Sequence, residues 1–125
     1  MRAYTVATVA VTLGVTPKWL DNALTRFPIR GVIRSRQGVS RRLGPQAAVT
    51  LHLASELIRT LGLPLAEAIS LAERAGEAPE TASIELFSST RLIVDVSAAA
   101  RDVNARLADA VEVTPVPKRG RPSTK

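Results

Sequence analysis

The side chains of this sequence best suited to chemistry are its cations, and they are sorted along the chain. Residues 1–45 hold eight Lys and Arg (Arg2, Lys18, Arg26, Arg30, Arg34, Arg36, Arg41 and Arg42) against one acid, Asp21. Residues 46–112 hold five bases and ten acids, and residues 113–125 hold four bases and no acid. Solubility alone does not require this separation, whereas a polyanionic partner does. The charged residues of the stretch 30–43 are all arginine. A guanidinium fork matches phosphate geometry, which an ammonium does not.

Other chemistries find little support. The chain has no cysteine, so disulfides and thiolate metal sites are excluded. His52 is its one histidine and falls with Glu56 and Arg59 on a polar helical stripe, which predicts a surface position. No second ligand type stands at metal-binding spacing. There are no paired carboxylates in a plausible pocket, no phosphate-cradling glycine loop and no nucleophile motif. The expectation is a non-enzyme with no catalytic residue, no cofactor and no metal. The opening residues lack a long apolar segment, and no run of about 18 apolar residues occurs. Neither secretion nor a membrane partner is expected, and the predicted location is cytoplasmic and nucleoid-associated.

The elements that must position the cations follow from the apolar spacing. Thr5 is placed to cap a first helix, with Val6, Val9, Ala10 and Leu13 on one face. Gly14 follows, where a left-handed C-terminal cap favours a residue without Cβ. Thr16 and Pro17 restart a helix as a hydroxyl N-cap and a first-turn proline. Leu20 and Leu24 face back onto the first helix, and Phe27-Pro28 ends the second. Val32–Ile33 and 39–43 are expected to pair as a hairpin with its tip at 35–38. A third helix spans 45–61 with Val49, Leu53, Leu57, Ile58 and Leu61 as its apolar face. A fourth starts at Pro64 and carries Leu65, Ala68, Ile69 and Ala72. A linker at 76–80 leads to a second hairpin over 83–96, and Ser97 is placed to cap a helix reaching about Ala110. That last unit is marginal alone and is expected to pack on the fourth helix or on a second copy. Residues 113–125, with three prolines and no apolar periodicity, are expected to be disordered.

Two resemblances join these observations. Tyr4-Thr5-Val6, Ala10, Leu13-Gly14-Val15-Thr16-Pro17, Leu20, Gly38, Arg41 and the run 61–69 resemble, in order and spacing, the DNA-binding domain of MerR-type regulators and excisionase-like relatives. The resemblance covers roughly residues 4–73. It implies a mainly α (α+β) winged helix-turn-helix over 1–76, followed by a hairpin-helix accessory or dimerisation segment over 77–112. The family's long coiled coil and cysteine cluster have no counterpart here. In the tail, Lys118, Arg119, Gly120, Arg121 and Pro122 resemble an AT-hook, whose arginines lie along a narrow A·T minor groove.

The implied partner is double-stranded DNA, bound as a homodimer or a cooperative array. Thr16, Lys18, Trp19, Asn22 and Arg26 would contact DNA from the second helix, lying in the major groove. Trp19 would either plug the core or sit against the sugar backbone, and is expected to be partly buried. Arg34, Arg36, Arg41 and Arg42 would lie on phosphate or in the minor groove, Arg41 matching the family's wing arginine. Lys118, Arg119 and Arg121 would grip adjacent A·T sequence. Asp21 stands where the family commonly has arginine, and is acceptable near phosphate only if it pairs with Arg26 or accepts from a cytosine amino group. A transcriptional regulator is the leading expectation. The alternatives are an excisionase-like DNA-bending accessory protein of a mobile element, and an antitoxin-type autoregulator binding a protein partner through 83–112.

Overall fold

The computed structural model describes residues 3–33 and 41–113, the last three as backbone only. Within them the chain is mainly helical, with five helices and two small antiparallel sheets. The order is β1 (Tyr4–Thr5), α1 (Val6–Leu13), α2 (Pro17–Arg26), β2 (Val32–Ile33), β3 (Arg42–Leu43), α3 (Pro45–Leu61), α4 (Leu65–Ala75), β4 (Thr81–Phe87), β5 (Thr90–Asp95) and α5 (Val96–Val113).

The first two helices form as their end signals dictate. Thr5 Oγ1 accepts from the Thr8 amide at 3.1 Å, and Gly14 closes α1 in the left-handed conformation at φ 73°. Thr16 Oγ1 accepts from the Trp19 amide at 3.0 Å, and Phe27 ends α2 in extended geometry. Val9, Ala10 and Leu13 of α1 meet Leu20, Ala23 and Leu24 of α2 in one buried cluster. Leu43, Leu51, Ala68 and Ile69 belong to the same cluster.

The short sheet has one strand more than the sequence predicts. β3 is central, flanked by β1 and β2, with Leu43 opposite both Tyr4 and Val32, and Arg42 opposite both Thr5 and Ile33. Two residues are too few to show alternation, which is why β1 is invisible in the sequence. Residues 34–40, which include the expected hairpin tip, lie outside the described residues.

The chain reaches this sheet through a tight approach. Gly31 sits at φ 93° with its carbonyl accepting from the Gly44 amide at 2.8 Å. A Cβ at Gly31 would stand 2.9 Å from the Ala47 backbone nitrogen at the start of α3. Both the backbone conformation and the space therefore require glycine.

The second half of the chain folds back on the first. β4 packs on α4, while α5 lies across α1 and α3. Val96, Val103 and Leu107 of α5 join the same core as Val9 and Leu20. The expected packing on the fourth helix is thus found for β4 and not for α5, which rests on α1 and α3 instead. Asp95, rather than Ser97, caps α5, its Oδ1 accepting from the Ala98 amide at 2.9 Å. Ser97 instead accepts from Arg101, and Asp102 pairs with Arg106 at 3.1 Å as expected.

Two positions on α3 differ from expectation. Leu61, assigned to the apolar face, is 49% exposed at the helix end. His52, assigned to the surface, is only 5% exposed. A helical stripe that is polar in sequence is polar to solvent only if nothing covers it, and α5 covers the His52 end of this one. Glu56 and Arg59, further along, remain exposed and pair with each other at 3.4 Å.

Two outcomes follow for stability. Gly31→Ala combines backbone strain with a close contact and should cost about 1–3 kcal/mol in denaturant unfolding. Burial pushes the His52 imidazole below its ordinary value of 6.5; Glu56 and Asp102 pull it up, Arg106 and Arg59 lower it further. The folded state therefore binds fewer protons than the unfolded state. Stability should be full above the unfolded value and fall as pH drops through 6.5 toward the folded value. Urea midpoints between about pH 7.5 and 5.5 should show this fall, and His52→Leu should flatten it.

Candidate nucleic-acid interface

α2 has two faces of opposite character. Leu20, Ala23 and Leu24 are fully buried, while Lys18, Asn22 and Arg26 are exposed at four-residue intervals. At 1.5 Å per residue, these three side chains span about 12 Å along one side of the helix. Among the described residues, neither the Lys18 nor the Asn22 side chain has a hydrogen-bond partner. Arg26 lies over the Phe27 ring, 5.2 Å from its centroid. This contact leaves the guanidinium edge free to donate.

Thr16 is exposed at the start of α2, with its oxygen engaged in capping. Trp19 is half-buried and packed on the core, so its ring is anchored from below. Arg42 is exposed on the central strand between Thr5 and Ile33.

Arg41 has a different environment from the other cations. Its Nη1 donates to Asp21 Oδ1 at 3.2 Å, and its Nη2 donates to Thr25 Oγ1 at 3.0 Å. Asp21 therefore pairs with Arg41 and not with Arg26. Asp21 and Arg26 are five positions apart, a spacing that turns them to different sides of the helix. Arg41, the residue before β3, is thereby tied to α2 and neutralises the single acid of residues 1–45. Only the fold brings positions twenty apart together, so no local pattern signals this bond.

Arg30 is also committed. Its amide and its Nε donate to the Glu73 carboxylate at 3.2 and 3.0 Å, and its Nη2 reaches the Glu77 carboxylate at 3.0 Å. The hydrogen bonds it donates to Glu73 and then to Glu77 raise its pKa above the ordinary arginine value. Arg30 thereby fastens the turn before β2 to α4. Of the bases clustered in residues 1–45, Arg30 and Arg41 are held by protein carboxylates, whereas Lys18, Arg26 and Arg42 are presented outward. Arg34, Arg36, Lys118, Arg119 and Arg121 lie outside the described residues. Groups of His, Cys, Asp and Glu able to hold a metal ion are lacking among the described residues. No helix there is long and apolar enough to cross a membrane.

Burial rather than charge holds this face in place. A buried leucine truncated to alanine costs about 2–5 kcal/mol, whereas an exposed ion pair contributes about 0–1 kcal/mol. Asp21 and Arg41 should show a coupling below about 1 kcal/mol in a double-mutant cycle. Leu24→Ala should cost several times as much in the same denaturation assay. Comparison of the chain with protein-family models, with curated proteins and with solved structures returns no match.

Proposed function

We propose that the chain is a DNA-binding transcriptional regulator built as a winged helix-turn-helix of MerR-like type. α2 enters the major groove, and the arginines of the segment joining β2 to β3 lie on phosphate or in the adjoining minor groove. The observation that carries this reading is the exposed row of Lys18, Asn22 and Arg26 on a helix whose other face is sealed in the core. Asn22 has the donor and acceptor needed to pair bidentately with adenine, and Lys18 and Arg26 can reach guanine or phosphate.

Arg41 supports the same reading indirectly. A carboxylate close to phosphate is unfavourable, and the Asp21 carboxylate is met by an arginine before any DNA arrives. Arg42 and Ile33 stand beside each other on the outer side of the short sheet, next to the segment that holds Arg34 and Arg36. The tail, through Lys118, Arg119 and Arg121, would extend the contact into adjacent A·T minor groove. No cofactor is needed for any of these contacts.

Fluorescence anisotropy with a labelled duplex tests the proposal. If about six cations contact phosphate, log K should fall with log salt at a slope near −5. Lys18→Ala and Arg26→Ala should each weaken binding, and each that removes a phosphate contact should make the slope shallower by about one. Asn22→Ala should cost about 1–3 kcal/mol at a preferred site and much less on random sequence. Binding left unchanged when Lys18 and Arg26 are both replaced would contradict the assignment of α2.

A further inference from the structure

The hairpin of β4 and β5 is a sheet of two strands, and the outer edge of β5 has no strand beside it among the described residues. That edge borders a groove of about 510 Å³. Leu92 and Val94 line it from the inner face of β5, Ile93 and Asp95 border it at the strand edge, and Leu57 and Leu61 line it from α3. Ile93, on the opposite face of the same strand, is 67% exposed. An unpaired edge, an apolar groove beneath it and an exposed isoleucine above it lie within one short strand.

We infer that a second copy of this chain occupies that edge, its β5 pairing antiparallel with β5 about a twofold axis at Ile93. The register is selected by the residues themselves. In an antiparallel pair, opposed residues must lie on the same face of the sheet. Here Arg91, Ile93 and Asp95 point to one face, and Leu92 and Val94 to the other. A twofold axis falling between two residues would oppose exposed and inward positions, and is therefore excluded. An axis at Leu92 sets Arg91 opposite Ile93, and an axis at Val94 sets Ile93 opposite Asp95. The axis at Ile93 alone sets Arg91 opposite Asp95 of the second copy, twice, with Ile93 opposite its own counterpart.

The pairing is complementary on both faces. Within one chain Glu85 already stands opposite Arg91, so the outer face of the combined sheet would read Glu85, Arg91 and Asp95 across three strands, with alternating charge. Asp95 caps α5 with Oδ1, and Oδ2 is left for the arginine. On the inner face Leu92 opposes Val94 of the second copy, and those side chains are directed toward the groove above Leu57 and Leu61. The exposure of Leu61 at the end of α3 is then accounted for. Pairing also covers the open edge of β5, which would otherwise be exposed to unrelated chains.

This inference adds a partner to the proposed function without resting on it, and its test contains no nucleic acid. Sedimentation equilibrium of the full chain should give a dimer at about 100 µM, and Ile93→Lys, which sets two ammonium groups together on the axis, should give a monomer. The chain has no cysteine, so engineered thiols report the axis directly. Two thiols at position 93 would face each other within about 6 Å of Cα separation, whereas position 83, one strand further out, would be separated by roughly 14 Å. Ile93→Cys should form a disulfide-linked dimer on mild oxidation, and Ser83→Cys should remain largely monomeric under the same conditions. A wild-type monomer overturns the inference and leaves the edge to an extended segment of some other protein. So does a dimer that survives Ile93→Lys, or cross-linking as fast through position 83 as through position 93.

Discussion

The outward display of Lys18, Asn22 and Arg26 depends on the burial of the other side of α2. Leu20, Ala23 and Leu24 are fully sealed against α1 and the core, and each of the two leucines contributes about 1.5–3 kcal/mol by leaving water. A helix held by that side has no rotational freedom left. Lys18, Asn22 and Arg26 must therefore project to solvent together, and they do so from a rigid element rather than from a loop. The left-handed turn at Gly14 and the Thr16 cap set the angle at which α2 leaves α1. Without the leucines, neither cap would keep a ten-residue helix in place, because isolated helices of that length are marginal in water.

Positive charge in this chain is divided between two tasks. Arg30 and Arg41 are internal fasteners, one fixing the turn before β2 to α4 and the other fixing the residue before β3 to α2. Each meets carboxylate of the same chain, Arg30 that of Glu73 and Glu77 and Arg41 that of Asp21. Lys18, Arg26 and Arg42 have no such carboxylate partner among the described residues and face outward. Counting bases in the sequence overstates the number available to a ligand, and the division of labour becomes visible only once the long-range pairs are known. The same reasoning applies to α5. By lying on α1 and α3 it completes the core under α2 from behind, so that the segment after residue 76 supports the geometry of the first helices.

Much of the helical framework was legible in the sequence because its signals are local. Thr5, Gly14, Thr16 and Pro17 mark the ends of α1 and α2, and the observed α3 spans the expected residues from Pro45 to Leu61. What was not legible depends on residues far apart. β1 is only two residues long and exists because β3 lies beside it. The cap on α5 moved from Ser97 to Asp95, since both residue types cap well and only the strand end decides between them. His52 was misplaced because its neighbours at helical spacing are charged, while the element that covers it lies some fifty residues later. For the candidate interface, Lys18, Asn22 and Arg26 could be chosen by helical spacing against Leu20 and Leu24. The commitment of Arg30 and Arg41 to Glu73, Glu77 and Asp21 could not.

In the proposed function, the outward side of α2 meets duplex DNA. The most direct measurement is the amide spectrum of the isotopically labelled protein during titration with a short duplex at low salt. The signals of Lys18, Asn22, Arg26 and Arg42 should move first and furthest, while those of Glu67, Arg74 and Asp109 in the acidic stretch 46–112 should stay in place. Shifts confined to α4, α5 or the second hairpin, or a spectrum that does not change at all, would contradict it.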